Sequence, residues 1–251
     1  MIKLRLLFSI LFILSIQCLT ADDKPVHLFI LSGQSNMVRM NPKTGFIPEA
    51  QNLFKDEKIV YIKKSMGSQY IHRWLKEWDE IAKSKGLEEK HRKRILRDGK
   101  VLYYQPILDQ YKELLKKYPK PASVTFCWMQ GESDAQGRVS AAYKDSLKLL
   151  ISNFRRDLKR PDMNVVIGRI ADYALDNKEC VKIRRVQVEI ANEDPHGAWI
   201  DTDDLNNIEV NDVLKNDIHY SKKGYVVLGQ RFARQAHALI TGKEPARDGR
   251  P

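Results

Sequence analysis

Residues 26–37 read VHLFILSGQSNM, a run of seven almost wholly apolar residues that ends at a glycine and a polar turn. A short apolar run of this kind is typical of a β-strand that helices cover on both faces. Four similar runs follow at residues 59–62, 123–129, 164–171 and 198–201. Segments of helical periodicity lie at residues 104–118, 141–158, 178–191 and 222–240. This alternation predicts an α/β fold with a central parallel sheet between helices and right-handed crossovers.

Length and composition narrow the class of protein. The 251 residues suit one domain, and a hydrophobic fraction of 43% is enough for a core, so a disordered chain is excluded. The formal net charge of +11 permits an anionic partner without naming one. Neither C-x-x-C nor H-E-x-x-H occurs, so we expect no metal site and no cofactor. Three cysteines exclude a disulfide scaffold, and whether Cys127 pairs with Cys180 stays open.

The N-terminal segment is typical of a secretory signal peptide. Lys3 and Arg5 precede the apolar residues 6–19, and small residues come before the acidic pair at 22–23. The apolar run has 14 residues, whereas a spanning helix needs ~20. We therefore expect residues 1–21 to be a signal peptide of a secreted or periplasmic protein without a stable membrane anchor. An uncleaved anchor or a buried helix is the alternative.

The remaining chain divides into a single domain, residues 22–241, and a Pro-, Gly- and charge-containing tail, residues 242–251, which we expect to be flexible. One segment of the domain, residues 78–100, is crowded with charge. It is interpreted as a solvated helix or a surface insertion. The alternative is a docking patch, at residues 83–100, for an anionic polysaccharide. Nucleic acid is not expected as a partner, because aromatic platforms do not interleave with the basic residues.

Three polar motifs stand where strands end or the last helix begins. GQSNM at residues 33–37 places Ser35 on a turn suited to nucleophilic attack, and QGESD at residues 130–134 offers an amide donor from Gln130. His219 follows Asp217 in the third motif, as a general base would follow the group that orients it. Taken singly, each motif is equally typical of a helix cap, a polar turn or a structural histidine. The order Ser, Asp, His at such positions favours a catalytic site.

Together these motifs resemble the sialate O-acetylesterase-like branch of the SGNH hydrolases, which includes carbohydrate esterase family 6. GQSNM and QGESD carry the resemblance most specifically, and it extends over roughly residues 26–240. The resemblance implies a flavodoxin-like three-layer α/β/α sandwich. It also implies a secreted serine esterase that removes O-acetyl groups from a carbohydrate, such as a sialate O-acetylesterase or an acetylxylan esterase, through an acyl-enzyme.

The resemblance assigns a role to each matching position. Ser35 corresponds to the nucleophile, and its N–H to the first oxyanion donor. Gly67 opens GSQYIHRW, which is similar to the GGSxIxxW block of the family and implies a second backbone donor, although Ser68 replaces the second glycine. Gln130 corresponds to the side-chain donor and His219 to the base. The remaining motif residues are expected to support the site or bind substrate: Gln34, Asn36, Glu132 and Asn216.

The acid of the triad is where this chain departs from the family pattern. The family has Asp three residues before the histidine, and this chain has Asn216 there. An Asn cannot balance the charge of an imidazolium. We favour Asp217 as the acid, because one residue of slack in a loop can redirect a side chain. Glu132 could help instead, or the enzyme could operate with a weakened dyad. The alternative outside the enzyme class is an idle carbohydrate-binding module on the same fold.

Overall fold

The computed structural model describes residues 24–210 and 213–250, and the predicted signal peptide lies outside them. Five parallel strands form one sheet in the order β2-β1-β3-β4-β5. The strands are β1 Val26–Gly33, β2 Lys58–Ser65, β3 Ser123–Met129, β4 Asn164–Gly168 and β5 Gly197–Ile200. This order is the flavodoxin-like one, so the predicted α/β fold is confirmed. Every residue of β3 and β4 is buried, as expected of central strands between helices.

Helices cover the sheet. Their bounds are α1 Ser35–Arg39, α2 Phe46–Phe54, α3 Trp78–Ser84, α4 Glu89–Leu96, α5 Tyr104–Lys117, α6 Glu132–Gln136, α7 Ser140–Asp157, α8 Lys178–Glu193 and α9 Lys222–Ile240. Helices α2 and α9 pack against each other, and α9 also packs on β4 and β5. Helices α7 and α8 form a second packed pair, with α5 beside α7 through the stacked rings of Tyr104 and Phe154. Among residues 24–210 and 213–250, no helix combines the length and apolar character that a membrane crossing requires.

Strand β2 and the hairpin differ from the sequence-based expectation. The predicted strand at 59–62 runs from Lys58 to Ser65 in the structure, because it pairs with β1 along its whole length. The ammonium of Lys63, which is partly buried, donates to the carbonyl of Val38 at 3.0 Å. An antiparallel pair, β6 Asn207–Val210 and β7 Val213–Asn216, was not predicted. These strands are four residues each and mix polar with apolar residues, so they lack an apolar run.

The segment at 78–100 and the C-terminal tail are both packed against the domain. Residues 78–100 include α3 and α4, which bury Trp78 and Ile95 and leave most of their charged side chains exposed. The tail, predicted to be flexible, makes specific contacts: the N–H of Asp201 donates to the carbonyl of Asp248 at 2.7 Å. The carbonyl of Ala246 accepts from the amide of Gln235 at 2.6 Å. The tail therefore lies beside the end of the edge strand β5 and is held there by these bonds.

Cys127 and Cys180 are both buried and both free thiols. Burial raises the pKa of each, which keeps both thiols in the unreactive protonated form.

Candidate active site

The three motifs meet at the carboxyl ends of β1 and β3. The chain leads from β1 to β2 on one side of β1 and then to β3 on its other side. The carboxyl ends of these strands therefore form the topological switch point, where ligands bind in open α/β sheets. Gly33 ends β1 with φ +142°, and a Cβ there would lie 1.9 Å from the carbonyl oxygen of Met129. Only glycine fits this approach. The N–H of Gln34 then donates to the same carbonyl at 2.8 Å, which brings Ser35 beside the QGESD turn.

Ser35 and His219 form the pair that the sequence predicts. The Oγ of Ser35 lies 3.1 Å from the Nε2 of His219, although 184 positions separate the two residues. Partial burial lowers the pKa of His219, the guanidinium of Arg39 lowers it further, and Asp217 opposes both effects. The imidazole is therefore neutral at neutral pH and able to accept the serine proton. A nucleophile within hydrogen-bond reach of a base is the arrangement that activates a serine hydroxyl.

Asp217 stands near the imidazole without being hydrogen-bonded to it. Its Oδ1 lies 3.8 Å from the Nδ1 of His219, beyond hydrogen-bond distance. The same oxygen accepts the backbone N–H of His219 at 2.8 Å. Asp217 therefore shapes the loop that carries the base and acts on the ring through its charge.

Asn216 faces away from the imidazole, toward another carboxylate. Its Nδ2 donates to the Oδ1 of Asp172 at 2.8 Å, and its Oδ1 accepts from the Nδ2 of Asn206 at 2.7 Å. The same Asn206 amide donates to the carbonyl of Asp217 at 2.9 Å. We call Asp172, Asn206 and Asn216 the Asp172 cluster; it holds the loop that ends at His219. Sequence reasoning missed Asp172 and Asn206, although Asp172 follows β4 at the edge where such residues are expected.

Asn36 connects the segment that carries Ser35 to the segment that carries His219. Its Nδ2 donates to the Oε1 of Glu132 at 2.9 Å and to the carbonyl of Ile218 at 3.0 Å. Its Oδ1 accepts from the hydroxyl of Tyr225 at 3.0 Å. Asn36 thus links the residue after Ser35 to the residue before His219, which fixes the distance between nucleophile and base.

The side chain of Glu132, which accepts a hydrogen bond from Asn36, is buried. It is 1% exposed, and burial raises its pKa to about 7. In the part of the chain that the structure describes, it makes no hydrogen bond to His219 and reaches the site only through Asn36. The geometry therefore places Glu132 as a support of Asn36 and does not place it on the base.

Comparisons with known proteins agree with this geometry. The sequence model of a family described as carbohydrate esterase, sialic acid-specific acetylesterase, matches residues 38–238. The chain belongs to this family. The match includes the QGESD turn and His219 and begins just after GQSNM, and it confirms the place among SGNH hydrolases that the motifs predict. No curated protein matches the sequence of this esterase.

Two solved structures share the fold of the esterase. A protein from Arabidopsis thaliana is 19% identical with a TM-score of 0.57, and the match covers 86% of this chain and 98% of that one. A carbohydrate acetylesterase from Xanthomonas citri is 13% identical with a TM-score of 0.58, and the match covers 89% of this chain and 58% of that one. At these identities the likeness concerns the fold.

Gln34 and Gln130, both expected at the site, form hydrogen bonds with neighbouring residues inside the domain of this esterase. The Oε1 of Gln34 accepts the N–H of Ser133 at 3.3 Å and braces the QGESD turn. The Nε2 of Gln130 donates to the carbonyl of Gln69 at 3.0 Å and to the Oδ2 of Asp134 at 2.5 Å. Gln130 is fully buried, and these two bonds use both of its amide hydrogens. The geometry does not support the predicted oxyanion donor, because Asp134, four residues on, captures the amide.

The backbone at Gly67 lies beside the nucleophile of the esterase. A Cβ at Gly67 would be 3.8 Å from the Cβ of Ser35. The carbonyl of Gly67 accepts from the side-chain amide of Gln69 at 2.8 Å, and Ser68 has φ +57°. This turn places the backbone of Gly67 next to Ser35, where an oxyanion donor is needed. Within the described residues, no group of three or more histidine, cysteine or acidic side chains is arranged to hold a metal ion.

Proposed function

We propose that this carbohydrate esterase removes O-acetyl groups from its substrate through an acetyl-enzyme on Ser35. The observation that carries the proposal is the 3.1 Å contact between the Oγ of Ser35 and the Nε2 of His219. It stands at the ligand-binding edge of the sheet in a chain whose family acts on carbohydrate esters. Asp217 makes no hydrogen bond to the imidazole, and the contact between Ser35 and His219 is formed without one.

The first half-reaction forms the acetyl-enzyme. His219 takes the proton of Ser35 as the Oγ attacks the ester carbonyl carbon, and a tetrahedral oxyanion forms. We assign the stabilisation of that oxyanion to the backbone N–H groups of Ser35 and Gly67, because a Cβ at Gly67 would lie 3.8 Å from the Cβ of Ser35. The intermediate collapses with cleavage of the bond to the sugar oxygen, which receives the proton from His219 and leaves as the alcohol.

The second half-reaction regenerates the serine. A water molecule gives its proton to His219 and attacks the acetyl group, and the tetrahedral intermediate releases acetate while Ser35 regains its proton. In both steps the imidazole becomes an imidazolium. The carboxylate of Asp217, 3.8 Å from Nδ1, stabilises that charge through space.

We also propose where in the cell the enzyme acts. The predicted signal peptide, residues 1–21, leads us to propose a secreted or periplasmic enzyme acting on carbohydrates outside the cytoplasm. The test is N-terminal sequencing of protein recovered from the culture medium and the periplasm of an expressing bacterium. A mature chain that begins near residue 22 supports export, and full-length protein confined to the cytoplasm contradicts it.

Acetate release from p-nitrophenyl acetate and from a panel of acetylated glycans tests the reaction. We expect hydrolysis of both by the wild-type chain and a peptide containing Ser35 that carries one acetyl group after rapid acid quench. Ser35→Ala abolishes both signals, and Ser84→Ala, which changes an exposed serine on α3, leaves both unchanged. Binding of a glycan without any acetate release would instead identify an idle binding module.

A further inference from the structure

A groove outside the site just described lies between α4 and the turn that follows α6. Its volume is about 880 Å³, within the range of about 300–1,000 Å³ typical of ligand pockets. Lys90, His91 and Arg94 line the α4 side, and Gln136 and Arg138 line the opposite side. We call it the α4 groove.

The charge of the α4 groove is unbalanced. Its single acid, Glu88, pairs with Lys90 at 3.1 Å. Neither Arg94 nor Arg138 has a carboxylate within 4 Å among residues 24–210 and 213–250. Both side chains are exposed. Two guanidinium groups that share one concave surface repel each other unless an anion lies between them, and their planar forks suit carboxylates.

The backbone holds one of these arginines in a rarely populated conformation. Arg138 has φ +58°, which is uncommon for a residue with a side chain. The preceding Gly137 is packed so tightly that a Cβ would lie 2.4 Å from the ring of Tyr70. The carbonyl oxygen of Gly137 accepts from the Nη2 of Arg94 at 3.3 Å and lies 2.6 Å from the Nε2 of His91, and the same Nη2 lies 2.7 Å from that Nε2. The turn that presents Arg138 is therefore clamped by the groove's own residues, as is common at binding sites.

The α4 groove adjoins the catalytic site through two connections. Helix α6 begins at Glu132, which bonds to Asn36, and ends just before the Arg138 turn. Its five residues span only about 7.5 Å. On the other side, Tyr70 contacts Gly137 and lies three residues after Gly67. These two short connections place the α4 groove at the ends of the segments that carry the catalytic motifs.

We propose that the α4 groove binds carboxylate groups of an acidic polysaccharide, so that the substrate of this esterase is an acetylated polymer containing uronic acids. Arg94 and Arg138 are the residues that recognise the carboxylates. The binding step stands on the groove alone, whereas the link to deacetylation rests on the proposed function. A polysaccharide is favoured over a nucleic acid because the chain belongs to a carbohydrate esterase family and no phenylalanine, tyrosine or tryptophan is among the described residues that line the groove.

Binding to polygalacturonate, measured by isothermal titration calorimetry, tests the recognition step. The matched variants are Arg94→Glu/Arg138→Asn, where Asn tolerates the left-handed backbone, and Lys112→Glu, an exposed change on α5. We expect the double variant to lose at least tenfold in affinity and the Lys112 variant less than twofold. We expect carboxyl-reduced polygalacturonate to bind neither the wild-type protein nor the variants. The affinity of the wild-type protein for the acidic polymer should fall as the salt concentration rises. Equal loss in both variants, or equal binding of the reduced polymer, overturns the proposal.

Kinetics separate this proposal from the proposed function. With acetylated polygalacturonate we expect the double variant to lose kcat/KM mainly through KM, at least tenfold more than it loses with p-nitrophenyl acetate. If no ester is hydrolysed but binding still depends on the two arginines, the groove stands and the deacetylation proposal fails. If esters are hydrolysed and the two losses are equal, the groove assignment fails. Arginine-dependent binding of single-stranded DNA without binding of polygalacturonate also overturns it.

Discussion

The two halves of the catalytic pair are held by different kinds of structure. Ser35 stands on the core: Gln34 and Asn36 are 2% and 0% exposed, and Gly33 seals β1 against β3. His219 stands on a surface loop, where Asp217 has a side chain 49% exposed. We call these the serine side and the histidine side.

The difference sets what each half tolerates. On the serine side, removal of a partner leaves a buried polar group unsatisfied, which costs about 1–3 kcal/mol. On the histidine side, Asn206 is buried, but the bond between Asn216 and Asp172 lies near solvent, where water can replace a lost partner. Changes on the serine side should therefore alter both stability and turnover. Changes at Asn216, Asp172 or Asp217 on the histidine side should alter turnover with little effect on stability.

The largest effect is expected where the two sides meet. Ser35→Ala or His219→Ala should lower kcat for an aryl acetate by on the order of 10⁴-fold or more, because nucleophile and base act as one unit. The double variant should lose no more than either single one. Circular dichroism and Tm serve as controls for folding. A Ser35→Ala protein with ordinary hydrolysis would contradict the mechanism.

The next effect concerns Asn216 on the histidine side. An acid at this position would oppose the carboxylate of Asp172, which now accepts the Asn216 amide at 2.8 Å. Asn216→Asp should therefore lower kcat about 30-fold, or ~2 kcal/mol. Asp172→Asn in the same chain should recover most of the loss, because an amide and a carboxylate then face each other again.

The double-mutant cycle of Asn216 and Asp172 also decides an alternative. If Asn216→Asp raises kcat, the new acid serves His219, and the wild-type enzyme operates with the weakened dyad considered from the sequence. Tm should change little across the cycle, since Asn216 is exposed and Asp172 is half-buried. A large drop in Tm would mean that the histidine side belongs to the stable core after all.

A smaller effect is expected at Asp217. Asp217→Asn keeps an oxygen for the N–H of His219 and removes the charge, so kcat should fall about tenfold. This is far below the ~10⁴-fold loss in triads whose Asp is hydrogen-bonded to the ring. Because Asp217 raises the pKa of His219, the acid limb of the kcat/KM profile should move to lower pH. An unmoved limb would remove Asp217 from the site.

The smallest effect on turnover, and a distinct one on stability, is expected for Glu132→Gln. The pKa of Glu132 rises from 4.5 to about 7 on burial, so the folded state holds a proton that the unfolded chain releases. The free energy of unfolding should then decrease as pH rises between these values, by about 1.4 kcal/mol per unit of pKa difference. Glutamine still accepts from Asn36 and should flatten this dependence.

Denaturant unfolding at several pH values measures that change. Asp134 is also buried with a pKa raised to about 7, so the variant should retain part of the slope. Wild-type stability that rises with pH through this range would show that Glu132 is charged in the folded state. The control is Glu113→Gln, which changes an exposed glutamate on α5.

Much of the fold and the identity of the central pair followed from the sequence. The apolar runs of β1, β3 and β4 are visible because strands buried on both faces must be apolar along their length. Ser35 was placed by its position after β1, and His219 by its motif before the last helix together with the resemblance to a known family. The strands need only the local pattern, whereas the pair also needed the resemblance.

The tertiary structure alone decided which partner each polar side chain takes. Asn216 bonds to Asp172 across 44 positions, and the amide of Gln130 turns to Asp134 instead of Ser35. A hydrogen bond depends on distances of a few tenths of an ångström between atoms on separate elements, and no sequence pattern encodes that spacing. Local chemistry therefore determined which residues gather at the site, and packing between distant segments determined what each of them does there.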